Sequence, residues 1–211
     1  MSSVELLEVF GSDLTVVNAA RVSFAKESVE LDSKDEKLIA YLAKHKHTSP
    51  FFHPQVRFRL KMPIFVAREW FRHTVGFSRN EISRRYVDTV PEIFIPDGLR
   101  ARDKNLKQGS KEELIENNDE LMEKMKEWND KSLEFYNFLL EQKVCPEQAR
   151  MILPQSMQTE FIETGSLAAY GRLCGLRLDP HAQKEIRDLA QKVSELMEKA
   201  FPISWKALME A

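Results

Sequence analysis

The stretch Gln55-Val56-Arg57-Phe58-Arg59-Leu60-Lys61-Met62, followed by Pro63, decides the fold class. Val56, Phe58, Leu60 and Met62 fall on one side of it, and Gln55, Arg57, Arg59 and Lys61 on the other. A period of two marks an extended strand with one face dry and one wet. Such a strand belongs most naturally to an antiparallel sheet, because parallel sheets are covered on both faces. Pro63 has no N–H to lose and a fixed φ, so it suits the first position of a following helix. Ile64, Phe65, Ala67, Trp70 and Phe71 give that helix an apolar side.

Upstream, Val4 to Phe10 reads as a first strand ending at Gly11. Asp13 is placed to cap a helix through Val16, Val17, Ala20 and Val22, and Ser33 with Glu36 has capping-box spacing for a second helix reaching His47. Downstream, Pro91 to Leu106 reads as an irregular excursion. Ser110 with Glu113 predicts the start of a long helix to Gln142, and Pro146 opens a short one. Ser156 to Thr164 reads as a strand, Ser166 to Leu176 as a helix, and Asp179-Pro180 as the start of a last helix carrying Ile186, Leu189, Val193 and Met197. Many helices with a minority of strands predict an α+β fold, taken as one domain over residues 1–211.

Composition narrows the function. Hydrophobic residues make up 43% of the 211, enough for a core and too many for a disordered chain. A net charge of −2 argues against a polycation built for extended nucleic acid. Two cysteines exclude a disulfide scaffold. No apolar run reaches the roughly 20 residues a membrane helix needs, and Met1-Ser2-Ser3-Val4-Glu5 opens no secretory signal. The expected compartment is the cytoplasm, with no membrane partner.

The densest polar feature runs from Arg68 to Tyr86 and holds five arginines among small hydroxyls, with Gly76 in a turn. Guanidinium forks with hydroxyls and free amides suit a phosphate. A solvated loop of surface ion pairs is the other reading of the same residues. Arg150 and Arg177 can each be read as a helix-terminal cation facing the macrodipole. His45, His47 and His53 have no ligand spacing, so no metal is expected. His181 falls in the first turn of the last helix, available to a ligand or to solvent. Neither Cys145 nor Cys174 has a histidine placed to activate it. No dinucleotide-binding or Walker glycine motif occurs.

Arg72-His73 with Ser78-Arg79-Asn80-Glu81-Ile82-Ser83-Arg84-Arg85-Tyr86 resembles the signature of flavin-dependent thymidylate synthases, R-H-R-x-x-S-x-N-E-x-S-x-R-Y. Ala20-Arg21-Val22-Ser23, His47-Thr48-Ser49-Pro50-Phe51 and Met62-Pro63-Ile64-Phe65-Val66-Ala67-Arg68 look like family segments upstream. Ala149-Arg150-x-x-Leu153-Pro154, Leu176-Arg177 and His181-Ala182-Gln183 do so downstream. The resemblance runs from about Ala20 to about Phe201.

The resemblance implies conversion of dUMP to dTMP by an α+β homotetramer, with FAD and active sites between subunits. The carbon comes from 5,10-methylenetetrahydrofolate, NADPH reduces the flavin, and no cysteine attacks the pyrimidine. It places Glu69, Arg72, Glu81, Ile82, Ser83, Arg84, Arg85 and Arg150 around dUMP. Arg177 is implied to be catalytic, stabilising negative charge at N3 of the uracil. Ser23, Ser49, Arg72, His73, Thr74, Arg79, Glu81, Ser166, Arg172 and His181 are the residues expected to be near FAD.

The chain also departs from the family pattern. Thr74 stands for the third motif residue, usually Arg, and one extra residue precedes Asn80. Glu69 stands for Gln, Phe52 for Glu, Ser166-Leu167-Ala168 for N-x-R, and Arg172 for a later Asn. Two other functions therefore stay open: a related folate-dependent change at C5 of dUMP such as hydroxymethylation, and a nucleotide- or RNA-binding module without catalysis.

Overall fold

The alternating stretch is the strand β2 (Gln55–Pro63) of a four-stranded sheet. It joins β1 (Ser3–Phe10), β3 (Phe77–Glu81) and β4 (Gln158–Ser166) in the order β1-β2-β4-β3. Every pairing is antiparallel. The computed structural model describes residues 2–87, 89–102 and 110–211. Val56, Phe58, Leu60 and Met62 are buried, and Gln55, Arg57 and Arg59 are exposed. Each buried side chain contributes about 1.5–3 kcal/mol by leaving water. A slip of one residue would expose all four. The wet face is patterned as well, with Arg57 opposite Glu8, Arg59 between Glu5 and Glu160, and Lys61 on Glu92.

The helices are α1 (Asp13–Arg21), α2 (Ser33–Lys44), α3 (Ile64–Trp70), α4 (Asn118–Glu141), α5 (Pro146–Ala149), α6 (Leu167–Arg177), α7 (Lys184–Ala200) and α8 (Pro202–Met209). One continuous core joins the dry face of the sheet to Trp70 of α3, Leu173 of α6, Val193 of α7 and Trp205 of α8. Among the described residues, no helix is long and apolar enough to cross a membrane.

Several helix starts differ from those read in sequence. Asp13 does not cap α1; its buried carboxylate accepts from the Ile203 and Ser204 N–H groups at 3.1 and 2.8 Å and so caps α8. Asp32 rather than Ser33 caps α2, accepting from Lys34 N and Asp35 N. That helix ends at Lys44, before Lys46 turns to φ +57°. Ser110 starts no helix: its hydroxyl accepts from Arg100 Nε at 2.7 Å, and residues 113–115 bond back to 99–101. The long helix begins only at Asn118. The excursion from Pro91 is irregular through Arg102, and its last residues, 103–106, lie outside the described ones. Asp179 accepts from His181 N at 2.7 Å in an isolated turn, so the last long helix starts at Lys184 and His181 precedes it.

Candidate active site

Beyond β3, Ile82 N still bonds to Glu160 O at 2.9 Å, and the chain then turns, with Tyr86 N donating to Ser83 O at 3.0 Å. Arg84 reaches forward to Thr89 O at 2.6 Å. Arg85 Nε donates to Ser83 Oγ at 3.2 Å, and its guanidinium lies 5.0 Å from the Tyr86 ring centroid. Glu81 accepts from Thr159 Oγ1 at 2.5 Å. Glu81, Ile82, Ser83, Arg84 and Arg85 wall a cavity of about 450 Å³, and Arg150 joins them from a 3₁₀ turn far along the chain. Three guanidiniums and a hydroxyl at one concavity can hold a phosphate. A larger cavity of about 600 Å³ lies between residues 93–98 and α7, but its wall contains none of the expected site residues.

Glu69, Arg72 and Arg177 do not line the arginine cavity. Arg177 ends α6, with its Nη1 paired to Glu69 Oε1 and its Nε donating to His73 Nε2 at 2.9 Å. An Arg Nε can only donate, so His73 accepts at Nε2 and, when neutral, carries its proton on Nδ1. Partial burial pushes the His73 pKa down to about 4, helped by the charges of Arg177, Arg79 and Arg172. Arg72 is exposed on the same turn.

Gly76 adopts φ +82° in the turn after His73, where a Cβ would sit 2.9 Å from Ser166 Oγ and 3.0 Å from Ala169 Cβ. Only glycine fits there. Ser166 is buried: its N–H donates to Gly76 O at 3.0 Å, and its Oγ caps α6 by accepting from Ala169 N at 3.2 Å. Arg172 donates to Val75 O at 2.6 Å and sits 5.5 Å from the Phe52 ring centroid. Ser166 and Arg172 thus hold the turn in place, while Thr74 is exposed on it. Ser23 and Ser49 are exposed on two separate 3₁₀ turns, and His181 is exposed with its ring on Asp179. Arg79 points inward, paired with the buried Glu163.

The sequence reading missed Glu163 and its partners Trp70 and Tyr170. The signal was there: in β4, Thr159, Phe161, Glu163 and Gly165 share the dry face, so Glu163 is a carboxyl at a core position. Gly165 is a further sign. A Cβ there would lie 2.6 Å from Phe77 and 2.8 Å from Tyr170, two rings that meet at 4.9 Å and 84°.

Comparison with known proteins adds an independent line. The family described as "Thymidylate synthase complementing protein" matches residues 5–203. A flavin-dependent thymidylate synthase of Thermus thermophilus is 39% identical over 98% of this chain and 75% of its own length. One from Thermosipho africanus is 36% identical over 98% and 90%. The solved UMP/dUMP methylase PolB of Streptomyces cacaoi, bound with 5-Br dUMP, superposes with a TM-score of 0.89 at 29% identity. That match covers 100% of this chain and 95% of PolB. A motif read in sequence, a profile along nearly the whole chain and a shared fold agree, and the chain belongs to the flavin-dependent thymidylate synthase family.

Proposed function

We propose that this protein methylates dUMP at C5 to give dTMP, with FAD as cofactor, 5,10-methylenetetrahydrofolate as carbon donor and NADPH as reductant. The observation that carries the reading is the cavity of about 450 Å³ on which Ser83, Arg84, Arg85 and Arg150 converge, in a chain 39% identical to a flavin-dependent thymidylate synthase. Charge-assisted bonds from these groups would hold the nucleotide phosphate.

Arg177 would face the uracil. Glu69 and His73 fix two of its nitrogens and leave Nη2 for the substrate. A guanidinium held in this way stabilises charge that develops on N3, O2 and O4 as C5 reacts. FAD, when bound, supplies the hydride that completes the methyl group. The surroundings of His73 fit such a cofactor: Arg79 and Arg177 are balanced by Glu163 and Glu69, but the exposed Arg72 and Arg172, the latter bonded to the Val75 carbonyl, carry positive charge that a pyrophosphate needs. Arg72 and His73, with Thr74 beside them, would contact it.

Cys174 takes no part as a nucleophile: burial pushes its thiol pKa well up, and its Sγ donates to Ala190 O at 3.7 Å. The arginine cavity and the Glu69–Arg177–His73 cluster share no wall in one chain, which supports a site completed between subunits of a homotetramer. Both cysteines are free thiols, in keeping with the cytoplasm. The test is the absorbance of the purified protein. Bound flavin, reducible by NADPH, is expected; colourless protein that takes up no FAD would overturn the cofactor.

A further inference from the structure

Glu163 is 0% exposed on the dry face of the sheet, and none of the roles above uses it. Its carboxylate collects donors from three elements. Trp70 Nε1 of α3 lies 3.2 Å from both oxygens, Tyr170 OH of α6 donates to Oε1 at 3.1 Å, and Arg79 Nε of β3 pairs with Oε2. Arg79 is also the direct register partner of Glu163 across β3 and β4. The Phe71 and Phe77 rings lie 5.3 and 4.7 Å from its guanidinium, and its Nη2 is buried without a partner.

This is a costly arrangement. A buried ion pair seldom stabilises more than apolar groups of the same volume would. Burial raises the pKa of Glu163, and Arg79 opposes that shift. Yet the three elements that meet at this carboxylate carry most of the candidate site. Helix α3 holds Glu69 and leads into Arg72 and His73. Helix α6 holds Arg172 and Arg177. Strand β3 holds Arg79 and Glu81 and leads into Ser83, Arg84 and Arg85.

We propose that Glu163 and Arg79 form a positioning pair that locks α3, β3 and α6 to one another and so presets the arginine cavity for its anion. The pair touches no substrate in this account and acts through the strand that carries Glu81. Only the identity of the ligand, dUMP, rests on the functional reading above.

Two variants test the proposal, Glu163→Gln and the double variant Glu163→Gln with Arg79→Met. The holoenzyme and both variants are compared by thermal melting, by hydrogen exchange over residues 77–86 and by dUMP titration. Removing one charge leaves the other buried and unpaired, so Glu163→Gln is expected to melt lower, exchange faster in this segment and bind dUMP about tenfold more weakly. The double variant contains no unpaired charge and is expected to melt close to the parent. Its exchange should stay fast and its dUMP binding weak, because the backbone ladder to β4 remains but no side chain of β3 is then anchored to residue 163. A double variant with parent-like exchange and binding would overturn the proposal, leaving mutual charge compensation as the pair's only role. One that melts as low as the single variant would overturn it too, since the defect would then be packing. A parent enzyme that binds no dUMP would instead sink the functional reading, and the exchange data would still decide the positioning role.

Discussion

Arg177 Nε donates to His73 Nε2 at 2.9 Å, which joins the last residue of α6 to the turn that follows α3. The bond requires a neutral imidazole, and Glu69 on the neighbouring Nη1 keeps the guanidinium in place. A bare helix-terminal cation would be free to wave; this one is held on two sides. That geometry favours a preset electrostatic role over a simple interaction with the helix dipole.

Arg177→Ala is expected to lower kcat by about 100-fold or more, the scale of losing one preorganised donor, with much less effect on FAD content. Lysine should rescue only in part, because an ammonium cannot engage Glu69 and His73 in the same plane. Steady-state kinetics and melting temperature are measured together. Near-normal turnover with only a lower melting temperature would reduce Arg177 to a helix cap.

His73 predicts a pH dependence of stability. Unfolding frees the imidazole to titrate near its ordinary 6.5, whereas in the folded protein it stays neutral down to about pH 4. Between these values the unfolded state binds more protons, so the contribution of His73 is whole above about pH 6.5 and is lost as pH falls to about 4. Denaturant melts of the parent and of His73→Ala across this range should diverge in slope. Parallel curves would show that His73 titrates normally.

Arg150→Ala should weaken dUMP binding by about 1.5–3 kcal/mol, the range for a hydrogen bond to a charged group. The side chain is exposed and, among the described residues, bonds locally, Nε to Glu147 O at 3.2 Å, so the fold should survive. Calorimetric titration with dUMP gives the answer, and unchanged affinity would remove Arg150 from the cavity's work.

The strands β1, β2 and β4 were legible in this sequence, but β3, inside the polar run from Arg68 to Tyr86, was not; helices begin at Pro146 and after Ser166 as read, whereas α4 and α7 begin later than their capping signals suggested. The alternation in β2 is a burial signal that no other fold element produces, and it survives intact. Caps are short-range patterns that compete with one another. Ser33 and Asp32 both had the right chemistry, and Asp32 lies one residue earlier with its carboxylate free to turn back. Asp13 looked like a local cap but serves α8, a contact across 190 residues that spacing cannot show. At the site, Glu81 to Arg85 could be read as one group because they are consecutive, and the motif brought in Arg150. The inward turn of Arg79 was hidden. It depends on Glu163, whose core position the alternation of β4 marks but whose partner in β3 only the pairing of the strands supplies.

Cys145→Ala with Cys174→Ala should leave substantial turnover, at some cost in stability from the buried Cys174 site. Cys174 is fully enclosed in the core and Cys145 is exposed at the start of α5. An inactive but stable, FAD-loaded double variant would restore a covalent thiol mechanism.

The most direct measurement is product analysis after incubating the purified holoenzyme with dUMP, 5,10-methylenetetrahydrofolate and NADPH. The account predicts dTMP together with tetrahydrofolate, because the hydride comes from the flavin and leaves the folate unoxidised. Dihydrofolate in place of tetrahydrofolate, 5-hydroxymethyl-dUMP in place of dTMP, or unreacted dUMP would contradict it.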